Sequence, residues 1–145
     1  MNPNPLDSAV DQQLLVRRAD ADDAAFVFSY WLRDYYEHSA FAKGIDKTLF
    51  MHLHHLLLER IIARSVIHIV CDVEDPSVCY GFICAEGPVL HYIFVKRRFR
   101  RLGLARRLLR EAGLEAGPQA FTHLTDTFVG LRKRWPAAQY NPYLV

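Results

Sequence analysis

One segment, residues 90–112 (LHYIFVKRRFRRLGLARRLLREA), constrains the fold of this chain more than any other. It begins with residues 90–95, an apolar run of aromatic and β-branched side chains that is typical of a buried strand. Residues 96–102 form a polar, cationic connection. After Gly103 the apolar residues recur at helical spacing, at Leu104, Leu108, Leu109 and Ala112. The sequence therefore predicts a strand, a loop and a helix in immediate succession.

A loop that leads from a strand into a helix is a natural binding site for an anion. The first amides of a helix have no partner inside it, and the helix dipole favours negative charge there. Gly103 lets a phosphate approach the backbone, and Ala105 keeps the first turn thin. The glycine patterns of the P-loop and of the dinucleotide-binding turn are both absent from the sequence, which excludes those two phosphate sites.

The same segment resembles the acyl-CoA pyrophosphate loop of the GNAT N-acetyltransferase superfamily, whose pattern is V-x-x-x-x-[QR]-x-x-G-x-[GA]. The fixed positions are Val95, Arg100, Gly103 and Ala105. The resemblance implies an N-acetyltransferase that moves an acetyl group from acetyl-CoA, its co-substrate, to a primary amine. It places pantetheine and the acetyl group near Phe94 and Val95. It places the pyrophosphate on the amides of Arg100, Arg101, Leu102, Gly103, Leu104 and Ala105.

Two other functions fit parts of the same pattern. The loop and helix carry eight basic residues, at Lys96, Arg97, Arg98, Arg100, Arg101, Arg106, Arg107 and Arg110. Such a run is also typical of a nucleic-acid-binding patch or of a solvated face. The sequence lacks the signatures of the common nucleic-acid-binding modules, so nucleic acid is the less favoured partner. A GNAT-like protein that binds CoA without turnover is a further alternative.

The order of elements extends the resemblance over nearly the whole chain. Residues 1–13 are polar and predict a flexible lead, and residues 14–145 predict a single domain. The predicted elements are a strand at 14–18, helices from residues 20–22 to about 36 and from 46 to about 64, and a three-strand meander at 66–73, 78–85 and 89–95. A helix after Gly103, a strand at 120–124, a helix at 127–135 and a strand at 140–145 complete the predicted order. We therefore expect an α/β (α+β) GNAT-like fold, with a mixed, mostly antiparallel, splayed sheet and helices on both faces. The family usually ends in two strands, so a second subunit could complete this edge as a homodimer.

The composition of the chain limits the cellular compartment and the kinds of partner that we expect. The 145 residues carry a formal net charge of +2, and no apolar run has the ~18 residues that a membrane span needs. The three cysteines lie in strand-like apolar runs, where free cysteine behaves as a small buried hydrophobe. We expect a reduced, cytoplasmic protein with no membrane partner.

The candidate catalytic residues depart from the family pattern. The strand before the loop offers His91 where the family often has a glutamate base, and histidine titrates near neutral pH. We expect the neighbouring cationic loop to lower the pKa of His91, because a like charge disfavours the imidazolium ion. The alternative is a strand histidine that faces solvent. The tyrosine that usually protonates the thiolate is absent from the last helix, and Tyr140 is the proposed substitute, with Tyr143 or water as alternatives.

Aromatic residues of the first predicted helix are the candidates for the acceptor side. Trp31, Tyr35 and Tyr36 would line this side by resemblance, although core and lid packing is the favoured explanation for such aromatic residues. On the second helix we expect a buried stripe at Leu49, Leu53, Leu57 and Ile61, widened by Phe50, Leu58 and Ile62. His52, His55 and Glu59 lie on another face at a spacing that could hold a metal, but a plain polar face is the favoured interpretation, so no metal is predicted.

Overall fold

The structure is a computed structural model that describes residues 13–145, apart from the side chain of Leu131. The expectation for residues 1–12 lies outside the described residues. Gln13 is described, and its carbonyl accepts a hydrogen bond from the amide of Val73 at 2.9 Å, so this end of the predicted lead pairs at the sheet.

The elements follow the predicted order. They are β1 (Leu14–Arg18), α1 (Ala24–His38), α2 (Lys47–Ala63), β2 (Val66–Asp72), β3 (Cys79–Glu86), β4 (Val89–Val95), α3 (Leu104–Glu111), β5 (Ala120–Phe121), α4 (Asp126–Arg132) and β6 (Gln139–Tyr140). Short 3-10 turns at Ala21–Asp23, Ala42–Gly44 and Arg97–Phe99 connect them. Asp20 and Asp46 cap the 3-10 turn before α1 and the start of α2 with their carboxylates, as Asp does at helix N-termini.

Six strands form one sheet in the order β1-β2-β3-β4-β5-β6. The first three pairings are antiparallel, and β4 pairs with β5 in parallel through the α3 crossover. Helices α1 and α2 cover one face over a core that includes Trp31 and Phe82. Helices α3 and α4 cover the other face, over Leu108 and Phe121. The predicted mixed, mostly antiparallel sheet with helices on both faces is thus confirmed.

Three local predictions were wrong. The buried stripe of α2 is Phe50, His54, Leu58 and Ile61, so its predicted centre was wrong: Leu49 and Leu53 are half exposed, whereas Phe50 and Leu58, predicted at its margin, are buried with Ile61. Apolar residues on both sides of the helix made the stripe ambiguous, and docking against α1 fixes it. The last two strands are shorter than predicted, two residues each, and β6 runs parallel to β5. Association of two copies along β6 stays a prediction.

None of the helices in residues 13–145 has the length and apolar character that crossing a membrane requires. Cys71, Cys79 and Cys84 are free and buried, as expected for small hydrophobic side chains.

Candidate functional site

The loop at residues 96–103 leaves β4 and turns sharply into α3. Arg101 and Gly103 both have left-handed backbone conformations, with φ of 68° and 77°. A Cβ added at Gly103 would meet nothing within 4 Å, so packing does not demand this glycine. The backbone conformation of Gly103 does require glycine, because residues with a side chain disfavour positive φ. Gly103 thus borders open space at the start of α3, where no side chain of the N-cap residue occupies the first helix amides and an anion could bind them.

Arg100 fixes this loop to the end of β4. Its Nε donates to the carbonyl of Val95 at 2.9 Å, and its Nη2 lies 3.9 Å from Asp34 Oδ1. Further along, Arg106 and Arg110 lie 3.9 and 3.5 Å from the carboxylate of Glu115. Part of the basic run is thus engaged within the protein, which leaves the backbone amides as the main candidates for anion binding.

Strands β4 and β5 separate almost as soon as they meet. The two parallel pairs are Val89 with Ala120 and Leu90 with Phe121, and the amide of Thr122 donates to Leu90 at 3.2 Å. Among residues 13–145, the sheet shows no β5 partner for the last five residues of β4. The strands therefore fork at this point, and the open arm of β4 leads directly to the 96–103 loop.

The side chains of Phe94 and Val95, at the end of this arm, lie on opposite faces of the sheet and are buried. Their backbones remain the candidates for contact with a ligand in the fork.

Asp34 is a candidate functional residue that sequence reasoning missed. It projects from α1 and accepts a hydrogen bond from the Tyr92 hydroxyl at 2.5 Å. His38 Nε2 and Arg100 Nη2 lie 3.8 and 3.9 Å from its Oδ1. Burial and the neighbouring carboxylate raise the pKa of Tyr92 well above 10, so the phenol stays protonated. Asp34 thus places a partly exposed carboxylate between the fork and the loop, where the sequence of β4 supplies none.

The predicted acceptor aromatics divide between the core and the surface. Trp31 is fully buried and Tyr35 is 3% exposed, so both are core residues in this conformation. Tyr36 is half-buried, packs on Phe50 at a ring distance of 5.3 Å, and has Lys47 Nζ 5.7 Å from its ring. Of the three, Tyr36 is the residue that an acceptor could touch without rearrangement.

Tyr140 lies on β6, half-buried, with its ring 5.4 Å from that of Phe121. Its hydroxyl interacts with that of Tyr35, whose pKa burial raises to about 12. The Tyr140 ring thus packs on the face of the sheet that α3 and α4 cover, while its hydroxyl interacts with that of Tyr35 from α1.

His91 is 1% exposed, so it does not face solvent. It is the extra residue of a β-bulge, because Tyr92 pairs with Cys84 and Leu90 with Ala85. Its Nδ1 lies 2.9 Å from Thr122 Oγ1 and its Nε2 lies 3.0 Å from Glu86 Oε1. With both ring nitrogens engaged, it has no free nitrogen for an acceptor amine.

His91 belongs to a continuous buried hydrogen-bonded group. From Thr122 Oγ1 the contacts continue to His123 Nδ1 at 2.8 Å, and from His123 Nε2 to His54 Nε2 at 2.9 Å. We call Glu86, His91, Thr122, His123 and His54 the histidine network. The sequence offered two weak signals of it. One is the polar pair at 122–123 within an apolar run, and the other is the position of His54, midway between Phe50 and Leu58 on α2.

Burial keeps the three histidines neutral. It lowers the pKa of His54 to about 4 and that of His123 well below 6.5, the latter with help from the two neighbouring histidines. Burial also lowers the pKa of His91, against the opposing effect of Glu86. The direction agrees with the sequence-based expectation for His91, but the cause is burial and not the cationic loop.

No group of three or more metal-ligating side chains occurs in the described part of the chain. His55 instead pairs with Glu59 at 3.1 Å on the exposed side of α2.

No protein-family model matches this sequence. No curated protein matches it either. Solved structures do resemble it in fold. YycN from Bacillus subtilis, a candidate acetyltransferase, superposes with a TM-score of 0.57 at 14% identity, over 85% of this chain and 88% of its own. YjaB from Escherichia coli gives 0.56 at 16% identity, over 83% and 79%. A candidate GNAT-family acetyltransferase from Xanthomonas campestris gives 0.50 at 17% identity, over 85% and 82%.

Proposed function

We propose that this protein, which has the fold of the GNAT acetyltransferases, transfers an acetyl group from acetyl-CoA to a primary amine. The observation that carries the proposal is the forked β4–β5 pair whose open arm leads into the 96–103 loop and α3. A fork in a sheet offers unpaired strand amides and carbonyls to an extended pantetheine arm. The loop offers helix amides to the pyrophosphate at the end of that arm.

In this reaction a neutral amine attacks the thioester carbonyl, the carbon–sulfur bond breaks, and CoA leaves as a thiolate that takes up a proton. The protein must therefore position the two substrates and remove a proton from an acceptor that is an ammonium ion in water. Asp34 lies where a cationic amine could be held beside the fork. Protonation of the thiolate by Tyr140 stays a prediction.

The decisive experiment compares two glycines by calorimetry with acetyl-CoA. Gly103 and Gly113 both have positive φ, 77° and 74°, and a Cβ at either would meet nothing within 4 Å. Gly103→Glu and Gly113→Glu therefore impose similar backbone strain at the two ends of α3. We expect Gly103→Glu to weaken acetyl-CoA binding at least tenfold, because its side chain fills the space of the pyrophosphate, and Gly113→Glu to bind like the parent.

Equal binding by both variants would reject the loop as the pyrophosphate site. A turnover assay then separates an enzyme from a protein that only binds CoA. Release of the CoA thiol is followed with phenethylamine and with spermidine as acceptors. Binding without release with any primary amine would support the non-catalytic alternative.

A further inference from the structure

The histidine network is the most unusual polar feature in the interior of this protein. His54, His91, Thr122 and His123 are all less than 9% exposed, whereas Glu86 lies at the surface with its side chain 36% exposed. Three imidazoles in a protein core are costly to bury unless their nitrogens are hydrogen-bonded. Here every contact along the network is between 2.8 and 3.0 Å.

The carboxylate of Glu86 fixes the direction of every hydrogen bond in the network. Because a carboxylate only accepts, His91 must donate from Nε2, which leaves its Nδ1 as an acceptor. Thr122 then donates to His91 Nδ1 and accepts from His123 Nδ1. His123 Nε2 is thereby an acceptor, and His54 must donate to it from Nε2. With neutral rings, all donors point towards Glu86.

We infer that the histidine network is a proton relay, which carries the proton of the acceptor amine from His54 to Glu86 at the surface; this role rests on the proposed function. An incoming proton binds His54 Nδ1, and the Nε2 proton of His54 passes to His123 Nε2. The Nδ1 proton of His123 passes to Thr122 Oγ1, whose own proton passes to His91 Nδ1. Finally, the Nε2 proton of His91 passes to Glu86. One proton enters at His54 and one reaches the carboxylate, and each donor between them gives up its proton and takes the one that arrives. All three rings therefore change tautomer, and the starting tautomers must be restored before the next turnover.

The position of the network in the fold fits this role. His54 projects from the first half of α2 and stacks with Tyr35 and Phe50, at ring distances of 5.1 and 4.9 Å. This is the side predicted to receive the acceptor. The contact between His91 and Thr122 crosses the point where β4 and β5 fork.

The bulge in β4 is what makes the crossing possible. It inserts His91 between two regular pairs and redirects its side chain, as bulges near functional sites do.

The charged and titratable groups around the network are compatible with proton transfer along it. Tyr35 and Tyr92 have rings 4.6 and 5.9 Å from that of His123, and both remain protonated phenols because their pKa values are raised. The hydrogen bond from His91 lowers the pKa of Glu86, and Arg64 Nε, 3.1 Å away, lowers it further, so the terminal carboxylate is ionised and releases an arriving proton to water.

The first test is independent of activity. Ring-nitrogen NMR of the ¹⁵N-labelled parent at pH 7, assigned with single His→Gln variants, reports the tautomer of each histidine. We expect Nε2–H at His54 and His91 and the less common Nδ1–H at His123. An Nε2–H tautomer at His123, or a doubly protonated ring at any of the three, would overturn the relay.

The second test breaks the relay at its centre. Thr122→Val keeps the shape of the side chain but removes the hydroxyl, whereas Thr122→Ser retains it. With phenethylamine as acceptor, we expect Thr122→Val to lower kcat about a hundredfold, the usual size of a general-base contribution, with KM for acetyl-CoA within twofold of the parent. Thr122→Ser should recover most of the rate.

The outcomes of the second test distinguish a failure of the relay from a failure of the proposed function. Equal kcat values for Thr122→Val, Thr122→Ser and the parent would overturn the relay. A parent protein that binds acetyl-CoA but acetylates no amine would overturn the proposed function. The network would then have no proton from an acceptor amine to carry. The tautomer measurement decides the network itself in either case, including the case in which Thr122→Val does not fold.

Discussion

Asp34 connects the two halves of the candidate site through a single side chain. One oxygen accepts from Tyr92 of β4, and the other lies 3.9 Å from Arg100 of the 96–103 loop. Its exposed fraction, 17%, is small enough to strengthen an electrostatic contact and large enough to admit a ligand. A carboxylate in this position suits an acceptor that arrives as an ammonium ion.

Asp34→Asn should therefore raise the KM for spermidine about tenfold, which corresponds to ~1.4 kcal/mol of lost charge interaction, and spare the KM for acetyl-CoA. The amide can still accept from Tyr92, so the fold should be retained. Glu37→Gln, which removes an exposed carboxylate from the same helix, is the control and should change neither constant. A rise in the KM for acetyl-CoA alone would show that Asp34 serves the cofactor loop instead.

At the residue scale, the sequence predicted features that depend on the local backbone. It missed features that depend on contacts formed when distant parts of the chain fold together. Gly103 was identifiable because a positive φ at the start of a helix requires glycine or a strained residue. Asp34 was not, because its role comes from β4 and the 96–103 loop, which lie 58 and 66 positions away in the chain. No local pattern marks a carboxylate that acquires its partners by folding.

At the scale of elements, the close contact between β3 and β4 holds the arm that leads to the loop. Gly81 is the point of closest approach. A Cβ there would lie 2.4 Å from the carbonyl oxygen of Phe94 and 3.1 Å from the Cα of Val95, both backbone atoms that cannot turn aside. A side chain at this position would push β4 away from the sheet.

Gly81→Ala should lower the free energy of unfolding by roughly 1–3 kcal/mol, the usual cost of forcing extra volume into a packed interior. Urea denaturation checks this prediction. Gly44→Ala is the matched control, because nothing lies within 4 Å of its added Cβ and its φ is not in the positive region. The control should be neutral or slightly stabilising. A Gly81→Ala variant as stable as Gly44→Ala would mean that the two strands separate at little cost.

The elements that the sequence predicted well are those with a clear period or a clear stop. Strands β1 to β4 and helix α3 fall within one residue or two of their predicted bounds. The stripe of α2 was wrong because leucines on both sides of the helix match the same period, and only contact with α1 distinguishes them. Strand β5 was predicted to be too long because residues 122–124 look like a strand, yet β4 diverges from them at the fork.

At the scale of the whole molecule, the histidine network links elements that are far apart in the sequence. His54 comes from α2, Glu86 and His91 from the β3–β4 hairpin, and Thr122 and His123 from the segment after β5. The network therefore forms only when the domain is assembled. Its protonation state is a property of the folded protein, which makes the stability of the domain sensitive to pH.

The buried histidines predict that the folded domain loses stability in mild acid. The folded pKa values of His54, His91 and His123 lie below 6.5, the ordinary value, so near pH 6 and below the unfolded chain binds protons that the folded chain does not. Stability should then fall as pH falls, by about 1.4 kcal/mol per pH unit for each such histidine. This window opens near pH 6.5 and, for His54, extends to about pH 4. Glu86 adds to the loss at lower pH, because its folded pKa is also depressed by the hydrogen bond from His91.

Urea unfolding from pH 7.5 to 5.0, followed by the fluorescence of buried Trp31, measures this dependence directly. We expect little change above pH 7 and a fall below pH 6, with a slope of about one proton from His54 and further contributions from His91, His123 and His68, whose folded pKa values burial also lowers. His54→Gln should reduce the slope by about one proton, because its amide can still donate to His123 but cannot titrate. A parent whose stability is flat between pH 7 and 5 would show that the three rings take up protons in the folded protein as they do in the unfolded chain. The directional hydrogen bonds of the network require them to be neutral, so such a result would contradict the structure of the network as well as its role.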